Sequence, residues 1–250
     1  MTNENQVLSG KVAVVTGGSR SIGASIAKKL ADQGATVVIT YNSSPEKAIA
    51  LVDEIQSSGS KALAIQADAA NPEAVRSAIL ETVQTFGAID ILVNNAGISI
   101  TGDIEQLDFA DYEKMIAVNV TGVFVATQEA VRHMTSGGRI IHIGSSMTKY
   151  SAFATASLYT LTKGAINGFT KSLARDLGPR GITVNTVLPG STDTDMNPEN
   201  GGVSSLVLPT IALGRYAKAE EIANVVAFIA SPAASYMTGS EVLVDGGHTA

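Results

Sequence analysis

V12-A-V-V-T-G-G-S-R-S-I-G23 decides the fold of this 250-residue chain. Its three valines and one alanine read as a strand covered on both faces. They run directly into a turn carrying Gly17, Gly18 and Gly23, which opens a helix. A glycine-rich strand-to-helix turn lets backbone N–H groups approach an anion, such as a pyrophosphate, at the helix N-terminus. The common G-x-G-x-x-G spacing is not matched, so the turn alone states a phosphate grip and leaves the ligand open.

Working outward, short apolar runs alternate with amphipathic segments along the whole chain. Strands are expected at residues 12–15, 36–40, 62–66, 90–94, 139–143, 183–187 and 241–244. Helices are expected at about 21–33, after Pro45, after Pro72, and at about 111–133, 157–177 and 219–230. Pro45 and Pro72 suit first-turn positions, and Gly34, Gly59, Gly87 and Gly178 suit helix stops. Alternation of this kind predicts an α/β fold, one doubly wound parallel sheet with helices on both faces. No linker, repeat or low-complexity tract divides it, so a single domain over 1–250 is expected. The least regular stretch, about 190–213, carries Pro198 and Pro209 and follows Pro189; it is expected to be a lid.

Composition narrows the chemistry. Hydrophobic residues make up 45% of the chain, enough for a sizeable core. There is no cysteine, so disulfides and thiolate chemistry are out. A formal charge of −6 disfavours nucleic-acid binding, and any bound phosphate must be held by local devices. No apolar span of about 20 residues is present, nor does MTNENQVLSG resemble a leader, so no membrane association and a cytoplasmic enzyme are expected. His133, His142 and His248 share no ligand spacing, and no metal site is expected.

Tyr159 and Lys163, in S-L-Y-T-L-T-K-G, stand one helical turn apart and share a face. An ammonium beside a phenol favours phenolate, so the Tyr159 pKa is expected to fall towards neutrality. That would suit proton transfer near pH 7.

The turn T16-G-G-S-R-S-I-G23 resembles the T-G-x-x-x-G-x-G turn of the short-chain dehydrogenase/reductase family, with Ser21 where the pattern has its middle glycine. A serine there must avoid positive φ or carry strain. Further motifs follow in the family's order: Asp68 after the third strand, N94-N-A-G97, N119-V-T-G122, G144-S-S146, Y159-T-L-T-K163, L188-P-G190 and V244-D-G-G247. The resemblance covers the whole chain. It implies an extended Rossmann sheet of order 3-2-1-4-5-6 with a seventh strand beyond the sixth.

By that resemblance Gly17, Ser19, Arg20, Ser21, Ile22 and Gly23 hold a dinucleotide. Asp68 and Ala69 meet its adenine, and Asn95, Ala96 and Gly97 line the adenine ribose and support the sheet. Pro189, Gly190 and Thr192 cap the nicotinamide, and Lys163 also bonds the nicotinamide ribose. The resemblance implies Tyr159 as general acid and a serine hydroxyl that steadies the substrate oxygen. It also implies that Asn119 anchors a water linking Lys163 to solvent. Ser146 lies 13 residues before Tyr159 and Ser145 lies 14 before it; aligned from the strand, Ser145 takes the catalytic position and is preferred.

Cofactor choice is read from the end of the second strand. An acidic residue about 20 positions after the turn holds the ribose of NAD. Here Tyr41, Asn42 and Ser43 occupy that place, with Arg20 nearby, so NADP(H) is expected over NAD(H). The expected reaction is NADPH-dependent reduction of a ketone to a secondary alcohol. An NAD(P)-dependent alcohol or sugar dehydrogenase working oxidatively stays open, as does a silent nucleotide-binding protein. The pattern is similar to 3-oxoacyl-carrier-protein reductases and to naphthol and carbonyl reductases. Pocket walls are expected at 99–103, 147–153, 191–196 and the lid to about 213; they carry few charges, with Lys149 the one cation near them, so a neutral, fairly apolar ketone is expected. An acyl-carrier partner would need a basic patch from Arg132, Arg175 and Arg180. Asp193 and Asp195 are read as loop caps or solvated residues. A homotetramer is implied, through residues 111–133 and 157–177 and the last strand.

Overall fold

A computed structural model describes residues 6–250; the first five residues of the stretch read above for a leader lie outside them. The strands are β1 (Val12–Val15), β2 (Thr36–Tyr41), β3 (Ala62–Gln66), β4 (Ile91–Asn94), β5 (Arg139–Ile143), β6 (Thr183–Pro189) and β7 (Glu241–Val244). The helices are α1 (Ser21–Asp32), α2 (Pro45–Ser57), α3 (Pro72–Phe86), α4 (Phe109–Ile116), α5 (Gly122–His133), α6 (Ser157–Leu177), α7 (Ser204–Val207) and α8 (Ala219–Ala230). One seven-stranded sheet runs β3-β2-β1-β4-β5-β6-β7, every pair parallel. The order reverses beside β1, between β2 on one flank and β4 on the other.

Period-two alternation divides the strands between two cores. Ala13, Val15, Val37 and Ile39 face α1, α2 and α8, where Ile26, Leu30, Ile222 and Val226 are buried. Val14, Val38, Leu92 and Ile140 face α3, α5 and α6, against Ile79, Ala126, Ala130 and Leu177. Each such valine, leucine or isoleucine, fully buried, contributes roughly 1.5–3 kcal/mol, and burial on both faces is what a parallel sheet requires. No helix among the described residues is long and apolar enough to cross a membrane.

Several expected boundaries move for visible reasons. Strand β4 begins at Ile91 because the Asp90 carboxylate is taken, accepting from the Val12 N–H and the Lys11 ammonium at 2.9 Å each. Strand β6 extends to Pro189 because β7 pairs with it up to Pro189↔Val244. The expected helix at 111–133 starts at Phe109 and is interrupted by a π turn, Ala117–Thr121, closed by the Gly122 N–H on the Ala117 carbonyl. Gly178 caps the end of α6, as expected, but without the left-handed turn. It keeps a right-handed conformation and opens a 3₁₀ turn that ends at Gly181, φ +71°. The stretch at 190–213 holds the short helix α7 and a following 3₁₀ turn, neither of which its composition announced.

Gly122 shows how tightly the π turn is seated. A Cβ there would stand 2.4 Å from the Ala69 carbonyl oxygen, a backbone atom that cannot swing away. Gly122→Ala is therefore expected to lower stability by about 1–3 kcal/mol, read as a lower urea midpoint with an unchanged slope.

Candidate active site

The crossing between β1 and β4 fixes the glycine turn. Thr16 Oγ1 accepts from the N–H groups of Asn95 (3.0 Å) and Ala96 (3.1 Å). In return the Asn95 side-chain amide donates to the carbonyls of Thr16 (3.0 Å) and Gly17 (2.9 Å). Space is then so short that a Cβ at Gly23 would meet the Gly17 oxygen at 2.5 Å, and one at Gly18 would meet Ile39 at 2.6 Å. Gly17 needs its φ of +62° as well. Helix α1 starts at once after this turn, and no side chain caps it. Its first-turn N–H groups are left for an outside acceptor. A Cβ-free cradle below uncapped N–H groups fits a pyrophosphate.

Ser21 adopts the left-handed φ of +48°, the strained outcome that its Cβ raised. Its hydroxyl has an observable use, accepting from the backbone N–H of Asp195 at 3.3 Å. Asp195 is neither a loop cap nor merely solvated, which corrects the sequence reading. Its Oδ2 lies 3.1 Å from Lys47 Nζ and 3.5 Å from Arg20 Nη1. Asp193 is a loop cap, accepting from the Glu199 N–H at 2.9 Å.

Around the remaining cofactor positions the side chains are small or already oriented. Tyr41 ends β2 opposite Gln66, which donates to the Asn42 carbonyl at 3.0 Å; Ser43 is exposed. No carboxylate stands on residues 41–43. Asp68 Oδ1 accepts from the Ala70 N–H at 2.9 Å, leaving its other oxygen for a ligand. A small, mostly apolar cavity beside Ala69 is lined by Thr16, Thr40, Ala67, Ala96 and Val118. Gly190 follows β6 so closely to Asp245 that a Cβ would lie 2.6 Å from its Cα, and Thr192 Oγ1 turns back to the Gly190 carbonyl at 3.0 Å.

Helix α6 brings the acid–base groups together. Tyr159, Lys163 and Asn167 recur every four residues and so share one stripe. Lys163 is buried, donates to the Ile143 carbonyl at 2.8 Å, and sits 5.7 Å from the Tyr159 ring centre. Burial pushes Lys163 down to about 8. Tyr159 moves opposite to expectation: burial pushes it up to about 12, while the Ser145 hydroxyl pulls the other way. The ammonium is spent on a carbonyl, and the loss of water around the phenol outweighs its charge. Tyr159 is only half-buried, so solvent moderates the rise. Of the two adjacent serines, Ser145 is the one whose hydroxyl influences the phenol.

Asn119 lies in the π turn and grips the residue after the N94-N-A-G97 motif. Its Oδ1 accepts from the Ile98 N–H and its Nδ2 donates to the Ile98 carbonyl, both at 2.9 Å, and to Thr162 Oγ1 at 3.1 Å. Lys163 Nζ and Asn119 Oδ1 flank Gly97, each 3.4 Å from where a Cβ would be.

A network not foreseen in the sequence supports Ser145. Asn167 Nδ2 donates to Thr148 Oγ1 at 2.9 Å and to Glu241 Oε2 at 3.3 Å. Thr148 Oγ1 in turn donates to the Ser145 carbonyl at 2.9 Å. Glu241 also pairs with Lys149 and, at 2.7 Å, with Lys171. Lys149, the one cation expected beside the pocket, is thus paired with a carboxylate. Arg132 pairs with Glu129, and Arg180 donates to the carbonyls of Val131 and Met134. The histidines are structural: His142 is buried and pushed down to about 3 by desolvation, His133 meets Glu129, and His248 meets Thr210.

Comparison with known proteins matches this geometry to one family. A family model described as enoyl-(acyl carrier protein) reductase matches residues 17–249. A short-chain dehydrogenase of Burkholderia cenocepacia, solved in complex with NADP, superposes with a TM-score of 0.96 at 49% identity, covering 97% of this chain and 99% of its own. The 3-oxoacyl-[acyl-carrier-protein] reductase of Aquifex aeolicus is 41% identical over 96% of this chain and 98% of its own length. Versicolorin reductase of Emericella nidulans is 39% identical over 98% of both. The family model spans nearly the whole chain and the relatives match it end to end, so the chain belongs to the short-chain dehydrogenase/reductase family of oxidoreductases.

Proposed function

We propose that the protein is an NADP(H)-dependent oxidoreductase that reduces a ketone to a secondary alcohol, with Tyr159 as the general acid. The observation that carries this reading is the gathering of Ser145, Tyr159 and Lys163 at the ends of β5 and α6, beside an uncapped helix α1. When bound, a nicotinamide dinucleotide supplies the hydride. The 2′-phosphate preference is supported by cations Arg20 and Lys47 beside a β2 end without carboxylate, and by the NADP complex of the Burkholderia relative.

Each group of the chain has a task that its surroundings support. Tyr159, held protonated by burial, gives its proton to the substrate oxygen. Ser145 donates to the same oxygen and steadies the charge that grows there. Lys163 lies close enough to polarise the ring and is placed for a ribose hydroxyl. Asn119 spends its side-chain amide on Ile98 and Thr162, so its task is to hold the chain after Gly97 beside Lys163. With Lys149 neutralised by Glu241, the entrance favours an uncharged ketone over an anionic one. The reductase names of the Aquifex and Emericella relatives support the reducing direction.

We also propose a homotetramer. Phe109, Phe124 and Leu161 are exposed on α4, α5 and α6, and Leu243 is exposed on the edge strand β7. Such surfaces mark contacts with other chains.

In assays following 340 nm absorbance with NADPH and a panel of apolar ketones, Tyr159→Phe is expected to lower kcat at least about 100-fold. Ser145→Ala should cost far more than Ser146→Ala; the reverse would move the role to Ser146. A preference for NADH would overturn the cofactor assignment.

The buried lysine makes a separate prediction. In the folded protein Lys163 loses its proton about pH 8, whereas an unfolded lysine keeps it to about pH 10.4. Between those values the unfolded chain binds more protons, so stability rises with pH. Wild type should gain on Lys163→Met by on the order of 3 kcal/mol across that window. Urea midpoints from about pH 7 to about pH 10 read it, and a flat difference would reject it. Light scattering should report four times the 25.7 kDa chain mass; the mass of a monomer would reject the tetramer.

A further inference from the structure

Two cations at the start of the dinucleotide site converge on one anion, and that anion belongs to the lid. Arg20 precedes α1, and Lys47 lies in the first turn of α2, immediately after residues 41–44. They reach a single oxygen of Asp195 across 175 and 148 residues of sequence. Among the described residues neither cation has another ion-pair partner. The backbone N–H of Asp195 is tied separately to Ser21 Oγ, on the strained residue of the glycine turn.

We propose that Asp195 is an internal stand-in for the 2′-phosphate of NADP(H): the phosphate and the lid carboxylate compete for Arg20 and Lys47, so the 2′-phosphate loosens the lid at residue 195. The inference rests on the NADP(H) reading above. It adds Lys47 as a second phosphate cation and makes Asp195 a residue that works against cofactor affinity.

The chemistry of the competition follows from charge and geometry. A phosphomonoester carries close to two negative charges on three acceptor oxygens, against one charge on two for a carboxylate. It therefore wins the shared cations. Arg20, Lys47 and Asp195 each keep about half of their side-chain surface in water, so their pairing is screened and weak. A contact of that strength is displaceable. Once it is displaced, the Ser21 hydroxyl is, among the described residues, the one hydrogen-bond partner left to Asp195 itself, and a cofactor without the 2′-phosphate leaves the whole latch in place.

Calorimetric titration at low salt, with NADP⁺ and NAD⁺ against wild type, Asp195→Asn and Lys47→Gln, tests the affinities. Asp195→Asn is expected to tighten NADP⁺ by roughly 2- to 5-fold and Lys47→Gln to weaken it by a similar factor, the size of an exposed ion pair. NAD⁺ should shift in neither. Amide hydrogen exchange at residues 194–197 reads the lid itself. Adenosine 2′,5′-bisphosphate should speed exchange there in wild type, adenosine 5′-monophosphate should not, and Asp195→Asn should exchange fast with neither present. NADP⁺ binding equally to wild type and Asp195→Asn, or lid exchange unmoved by the bisphosphate, would overturn the competition and leave the cofactor reading intact. Binding of NAD⁺ with no binding of NADP⁺ in either protein would overturn both.

Discussion

The tie between Thr16 and Asn95 is the constraint on which the rest of the site depends. It joins the ends of the two strands between which the sheet changes direction, and it uses both the hydroxyl of one residue and the amide of the other. With those ends locked, the turn after β1 has no room for side chains at Gly18 and Gly23. The start of α1 is then carried over the crevice at the carboxyl ends of the strands, where an open α/β sheet binds its ligand. Nothing in this arrangement requires a net positive protein. A formal charge of −6 is compatible with holding a pyrophosphate because the attraction is local and comes from backbone dipoles.

A second constraint governs proton handling. An ammonium buried under the sheet is costly unless its donors are used. Lys163 meets that demand with the Ile143 carbonyl, which places it behind the phenol rather than against its oxygen. The result is a tyrosine kept as an acid and a lysine whose own proton is loosely held. The pair divides the labour differently from a simple ammonium–phenolate contact. The same region is braced by Asn119, whose bonds to Ile98 hold the chain after Gly97 against the π turn.

Much of this was legible in the residues. The runs at 12–15, 62–66, 139–143 and 241–244 form strands with those bounds, since continuous β-branched runs between helices leave little choice. Pro45 and Pro72 open α2 and α3, as a missing N–H at the first turn allows. The shared face of Tyr159 and Lys163 needs only the helical repeat. What escaped reading depends on contacts between distant parts of the chain. The π turn has no propensity signal, because Asn119 and the fit of Gly122 against Ala69 impose it. The Tyr159 shift was misjudged because spacing reports neighbours and not burial. The ion pairs of Lys149 and Asp195 were not legible because their partners, Glu241 and the Arg20–Lys47 pair, lie far away in sequence.

The carboxylate of Glu241 belongs to the last strand, ten residues from the end of the chain, yet it terminates the relay that runs through Asn167 and Thr148 to Ser145. Cutting the chain before that residue would leave Lys149 and Lys171 facing each other without their shared counter-ion, and Asn167 without one of its acceptors. The C-terminal strand is therefore no trimmable appendage of the scaffold. It is the far anchor of the loop that carries Ser145.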